Sequence, residues 1–238
     1  MNSLLISIKN LLRKIYYFKQ SHQLVKFDQH STNERDDCFK ILLKFNVINR
    51  PMTGNYFEFG SHSGRTFSCA LKYFGKKSWF GLANKTKFYS FDSFEGLPDV
   101  EENNEQEIWG KGKFKTSLKN FEKILSKNGY KNENYELIKG FYHDVLTDEL
   151  KQRLLKEGYA SIVYIDCDLY YSTVPVLEFI KDFLKDGTLV IFDDWYCFNS
   201  RKDKGQQRAF YEFIEKNSDI TFIPYFNNAE IKVFIVNR

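Results

Sequence analysis

Two apolar runs end in paired acids. Ile162-Val163-Tyr164-Ile165 leads into Asp166-Cys167-Asp168, and Leu189-Val190-Ile191-Phe192 leads into Asp193-Asp194. Side chains two apart on a strand point to the same side, so the carboxylates of Asp166 and Asp168 converge. If the two runs are neighbouring strands, four carboxylates gather at one rim of a sheet. Such a cluster either keeps protons or takes up a cation. Oxygen ligands without a nearby Cys/His set point to Mg²⁺, with Mn²⁺ and Ca²⁺ as alternatives. The competing reading makes each acid a loop residue or helix cap, and it suits Asp168 and Asp194 taken singly because helices are expected after both.

A second group of residues suits a nucleoside. The run Tyr56-Phe57-Glu58-Phe59 ends at Gly60, followed by Ser61-His62-Ser63-Gly64 and a helical pattern. The two glycines allow a sharp turn and close approach of a ligand to the backbone. The helix start offers free N–H groups. The Gly-x-x-x-Gly spacing is not the Gly-x-Gly-x-x-Gly of dinucleotide sites, and no Gly-Lys-Ser/Thr follows, which excludes a Walker loop. An acid two residues before the first glycine suits a cationic ligand such as S-adenosylmethionine better than a pyrophosphate. The next run ends at Asp92, followed by Ser93, and an acid at such a tip accepts the two ribose hydroxyls of a nucleoside.

Strands and helices must alternate to position these groups. Strands are expected at 56–60, 88–92, 135–139, 162–166, 189–193, 220–224 and 231–236, and helices at 64–74, 115–127, 147–157, 174–184 and 206–216. This is the pattern of an α/β fold with a mostly parallel seven-stranded sheet. The last two strands leave no room for a helix, so the final one runs antiparallel. Residues 98–113 form a long aperiodic connection, of the kind used as lids or binding loops. Residues 1–52 read as an N-terminal helical extension and 53–238 as the domain that carries the chemistry.

The composition agrees with a globular fold: 42% apolar, 18% aromatic, with 24 Phe and 15 Tyr among 238 residues. A net charge of +4 from 35 basic and 31 acidic residues gives no reason to expect nucleic acid as a partner. Cys38, Cys69, Cys167 and Cys197 show no zinc-ligand spacing, which suits a reduced, cytoplasmic protein. Residues 2–18 carry Leu4, Leu5, Ile8, Leu11, Leu12 and Ile15 at helical spacing, with Lys9, Arg13 and Lys14 opposite. Charges interrupt this run too early for a membrane span. It is expected to pack on the domain or in a homodimer, with weak contact to the inner membrane face as the alternative.

Taken in order, these motifs resemble the TylF (macrocin O-methyltransferase) family. They are Glu58-Phe59-Gly60-x-x-x-Gly64, then Phe91-Asp92-Ser93-Phe94-Glu95-Gly96-Leu97-Pro98, then Gly140-Phe141-x-x-Asp144. Asp166-x-Asp168-x-Tyr170-x-Ser172-Thr173, Phe192-Asp193-Asp194-Trp195-Tyr196 and the stretch from Gly205 to Phe210 follow. The resemblance runs from about residue 56 to 213. It implies a Rossmann-like class I methyltransferase fold using S-adenosylmethionine and Mg²⁺, with a carbohydrate or glycoside as acceptor. It also implies that Glu58, Gly60, Ser61 and Gly64 line the methionine and ribose region. Asp92 would bind the ribose, Ser93 would sit beside the adenosine, and Gly140 and Phe141 would lie near the cofactor. Asp166, Asp193 and Asp194 would hold the metal, and Asp168 would be the general base. Two other readings stand beside this one: a catechol-type O-methyltransferase, and a nucleotide-sugar glycosyltransferase whose metal rests on the Asp166-Cys167-Asp168 triplet alone.

Overall fold

The structure is a computed structural model and describes residues 34–49, 54–75, 86–100 and 109–238. The amphipathic run 2–18 lies outside the described residues. By its internal contacts the chain divides into two compact units, Met1–Met52 and Thr53–Arg238. In the first, helix α1 (Glu34–Ile48) carries an internal ion pair from Lys40 to Asp37 at 2.8 Å.

The second unit alternates strands and helices. In chain order these are β1 (Asn55–Phe59), α2 (Arg65–Phe74), β2 (Phe88–Asp92), α3 (Leu118–Lys127), β3 (Glu136–Lys139), α4 (Tyr142–Val145) and α5 (Asp148–Leu155). They continue with β4 (Ala160–Ile165), α6 (Tyr170–Ile180), β5 (Leu189–Phe192), α7 (Gly205–Lys216), β6 (Thr221–Asn227) and β7 (Lys232–Asn237). The seven strands make one sheet in the order β3-β2-β1-β4-β5-β7-β6. Strands β1 to β5 pair in parallel, and β7 is antiparallel to both β5 and β6. The fold is the Rossmann-like one that the sequence indicated.

Both faces of the sheet are covered, which explains why the central strands are buried at almost every position and mostly apolar rather than alternating. On one face Phe59 stacks on Phe91 at 4.4 Å and meets Phe179 of α6 edge-on. On the other, Tyr56 packs against Phe67 of α2, and Phe67 against Phe121 of α3 and Tyr135. Each fully buried aromatic of this kind contributes ~1.5–3 kcal/mol by leaving water, so the sheet forms a firm platform for its loops.

Local chemistry sets the helix starts. Ser117 accepts from Asn120 N–H and Thr147 from Leu150 N–H, so α3 and α5 begin just after these caps. Helix α6 begins at Tyr170, ahead of the expected start at 174. Thr173 Oγ1 donates back to the Leu169 carbonyl at 2.8 Å, and buried Leu169 anchors the earlier turn.

The strand order reverses between β1 and β4, the neighbours on which the rest of the sheet is built. In an open α/β sheet the ligand crevice forms at such a point, outside the C-terminal ends of the strands. The tips of β1, β2, β4 and β5 all lie at that rim.

Candidate active site

The parallel ladder runs one residue past each strand and so fixes the tips against one another. Gly60 N–H donates to the Phe91 carbonyl, Asp166 N–H to Phe59, Asp193 N–H to Ile165 and Gly140 N–H to Asp92, at 2.8–3.0 Å. On this frame the carboxylates of Asp166, Asp168 and Asp194 converge, with one oxygen from each within 4.8 Å of the others. Asp168 reaches the cluster from a left-handed backbone (φ 57°), rare for a residue with a side chain. A tight turn, Leu169 N–H to the Cys167 carbonyl at 2.6 Å, holds it there. Strain of this sort costs on the order of 1–3 kcal/mol and collects at functional sites.

Burial first, and the neighbouring carboxylates second, push Asp166 and Asp194 well above the usual carboxylate range. Asp168 is raised to about 7 by burial and then by the charge of Asp193. The residues fit a hard divalent cation. The donors are all oxygen, their charges repel, and Asp194 Oδ2 is buried without a hydrogen-bond partner. Asp193 is not one of the three whose oxygens meet within that distance, but it borders them, since its charge is the first to act on Asp166 and Asp168. It shares a sheet face with Tyr164 and is buried with Oδ1 accepting the Tyr164 hydroxyl.

On the nucleoside side, Asp92 ties the β1–α2 turn to β2. Its Oδ2 accepts from the N–H groups of Ser61 (2.8 Å) and His62 (2.9 Å), and Oδ1 accepts from Phe94 N–H at 2.6 Å. Three of the roughly four acceptor positions of a carboxylate are thereby used. Ser61 is buried and its Oγ accepts from Ser90, while Ser93 Oγ bonds the Gly96 carbonyl. Gly60 has φ 88°, and a Cβ there would sit 1.6 Å from the Asp166 carbonyl oxygen. The close approach at Gly60 is therefore to strand β4, which seats the first acid. Gly64 caps α2 with φ 71° over the Phe121 ring. Glu58 is fully buried within the sheet and accepts the Tyr56 hydroxyl at 2.5 Å. Gly140 extends β3 beside Asp92, and Phe141 is the N-cap of α4, which sets Tyr142 OH on the Phe91 carbonyl.

Two residues at the acids escaped sequence reasoning. The Trp109 indole N–H donates to the Asp168 carboxylate, and its ring packs on Phe198 at 4.5 Å in a small apolar cluster with Leu169. Trp109 thus anchors the long connection, whose neck closes through Leu97 N–H to Lys113 and Gly112 N–H to Leu97. Gln206, at the start of α7, joins the tips of β4 and β5 through its side-chain amide. Trp109 lies 59 residues from Asp168 in sequence, so no local pattern signals the pair. Gln206 was part of the recognised stretch, without a role. A separate groove of about 870 Å³ runs between α7 and the β6–β7 hairpin, lined by Trp195, Phe210, Phe222 and Phe234 among others, and carries none of the site acids.

A family model for macrocin-O-methyltransferase (TylF) matches residues 43–221. The chain belongs to the TylF family. It is therefore an O-methyltransferase. Solved structures agree on the fold. The O-methyltransferase NovP has 17% identity and a TM-score of 0.68, over 86% of this chain and 80% of its own. The calicheamicin methyltransferase CalS11 has 17% identity and a TM-score of 0.63, over 92% and 91%. An apo structure of CalS11 is described as a TDP-rhamnose 3'-O-methyltransferase. TomG of Streptomyces achromogenes, solved with S-adenosylmethionine, has 12% identity and a TM-score of 0.53, over 93% and 89%. No curated protein matches the sequence. Among the described residues, no helix is long and apolar enough to cross a membrane.

Proposed function

We propose that this TylF-family protein transfers the methyl group of S-adenosylmethionine to a hydroxyl of a sugar or glycoside, with Mg²⁺ as the assisting cation. The observation that carries this reading is the convergence of Asp166, Asp168 and Asp194 at the strand tips beside Asp92. The TDP-rhamnose 3'-O-methyltransferase CalS11 supports the choice of acceptor, and TomG, solved with S-adenosylmethionine, supports that of donor.

The sulfonium is already a good leaving group, so the protein must align the partners and weaken one O–H bond. Asp166 and Asp194 would hold the cation, and the buried Asp194 Oδ2, which has no hydrogen-bond partner, would be available as a ligand. When bound, the cation supplies the Lewis acidity that lowers the pKa of an acceptor hydroxyl. Asp168 then takes the hydroxyl proton as the oxygen forms its bond to the methyl carbon and the carbon–sulfur bond breaks. The products are a methyl ether, S-adenosylhomocysteine and a protonated Asp168. Trp109 keeps the base oriented by holding its carboxylate. Fixing oxygen, methyl and sulfur in line contributes up to ~7–11 kcal/mol in well-aligned systems.

Calorimetric titration with S-adenosylmethionine and with S-adenosylhomocysteine checks the donor. Micromolar binding of both is expected, and a folded sample that binds neither contradicts the reading.

A further inference from the structure

The β4–β5 ladder stops at the bond from Asp193 N–H to the Ile165 carbonyl. The next residue, Asp194, is held differently. Its N–H donates to Gln206 Oε1 at 3.2 Å, and Gln206 Nε2 donates to the Ile165 carbonyl at 3.2 Å. One amide therefore links the residue before Asp166 to Asp194 itself. Gln206 is 1% exposed. Its own position is fixed from both sides. Gly205 lies against Phe198, where an added Cβ would come within 2.6 Å of the ring. Gln207 Nε2 donates to the Trp195 carbonyl at 2.7 Å and to Ser200 Oγ at 3.0 Å. Beyond the end of the ladder, this strap holds the Asp166 and Asp194 backbones at one spacing.

Spacing matters because the candidate ions differ in size. Mg²⁺ demands oxygens at about 2.0–2.1 Å in near-octahedral geometry, whereas Ca²⁺ accepts about 2.3–2.6 Å in looser arrangements. Two carboxylates on splayed, unbraced strand ends could open to suit the larger ion. Carboxylates held by a buried amide could not. Asp194 Oδ2, buried and without a hydrogen-bond partner, is the oxygen whose position the strap most directly governs.

We infer that Gln206 is a positioning residue that sets the ion-size selectivity of the acidic site, favouring Mg²⁺ over Ca²⁺. The inference rests on the reading of Asp166, Asp168 and Asp194 as a divalent-cation site. Gln206→Met keeps the side-chain volume and removes both hydrogen bonds. Gln206→Asn keeps the amide but is too short to bridge.

The test is calorimetric titration of the full chain with MgCl₂ alone and with CaCl₂ alone. The wild type is expected to prefer Mg²⁺. In both variants the ratio of the two Kd values should move toward Ca²⁺ by about tenfold, the scale at which supporting residues tune metal sites. Leu154→Ala, in the core away from the acids, serves as a destabilised control whose ratio stays at the wild-type value. If Gln206 only stabilised the fold, both ions would weaken by one factor, and an unchanged ratio overturns the inference. If the methionine variant does not fold, the asparagine variant is read by the same criterion. A wild type that binds neither ion overturns the cation reading and this inference with it, whereas ion binding with an unmoved ratio overturns the inference alone.

Discussion

At the scale of single residues, the account turns on Asp168. Its left-handed backbone and the Trp109 hydrogen bond aim one carboxylate where a proton must be received. Asp168→Asn should preserve the shape of the site and remove the base. We expect kcat to fall by ~10²–10⁴, the usual contribution of general base catalysis, with S-adenosylhomocysteine affinity unchanged by calorimetry. Near-normal turnover would remove Asp168 from the role of base. Much of this residue pattern was visible in the sequence. The acids Asp166, Asp168 and Asp194 stood out because carboxylates closing apolar runs have few structural reasons to be there. Asp193 was read with them as a metal ligand; in the fold it borders them, its carboxylate accepting the Tyr164 hydroxyl while its charge acts on Asp166 and Asp168. Trp109 was invisible because its link to Asp168 spans 59 residues and exists only in the folded chain.

At the scale of elements, the strand tips are as much a part of the site as the side chains. Gly60 shows this most clearly. Its positive φ and its contact with the Asp166 carbonyl leave no room for a Cβ. Gly60→Ala should cost ~3 kcal/mol or more in denaturant unfolding, through overpacking and backbone strain together. A loss below ~1 kcal/mol would show that β1 and β4 can part without cost. Alternation and turn chemistry made the parallel strands readable to within about two residues. Three features were less so. Helix α6 starts early because Thr173 bonds back to Leu169, leaving Pro175 inside the helix. Strand β6 continues to Asn227 because a register shift between Pro224 and Phe226 absorbs the proline. The one-turn helix α4 was too short to carry a period, yet it places Tyr142 beside Phe91.

At the scale of the whole molecule, the crowded acids tie stability to pH and to cation. Asp168 is raised to about 7, and Asp166 and Asp194 are raised as well. A carboxyl whose folded pKa exceeds its unfolded value near 4 holds a proton in the fold that the open chain has already lost. Its contribution to stability therefore falls as pH rises from about 4 to about 7. A bound cation relieves the same repulsion and competes with the protons. The gain in Tm on adding MgCl₂, relative to EDTA, should grow between pH 5 and pH 8 by ~3 °C or more, the equivalent of about one pK unit. A gain that is flat or shrinks with pH would mean the acids do not share an ion. The most direct test of the central claim is transfer of labelled methyl from S-adenosylmethionine to a panel of glycosides, nucleotide sugars and catechols, run with MgCl₂ and again after EDTA. The account predicts a methylated sugar hydroxyl whose formation stops with EDTA and returns with Mg²⁺. Preferential methylation of catechols, or transfer to sugars indifferent to EDTA, would contradict it.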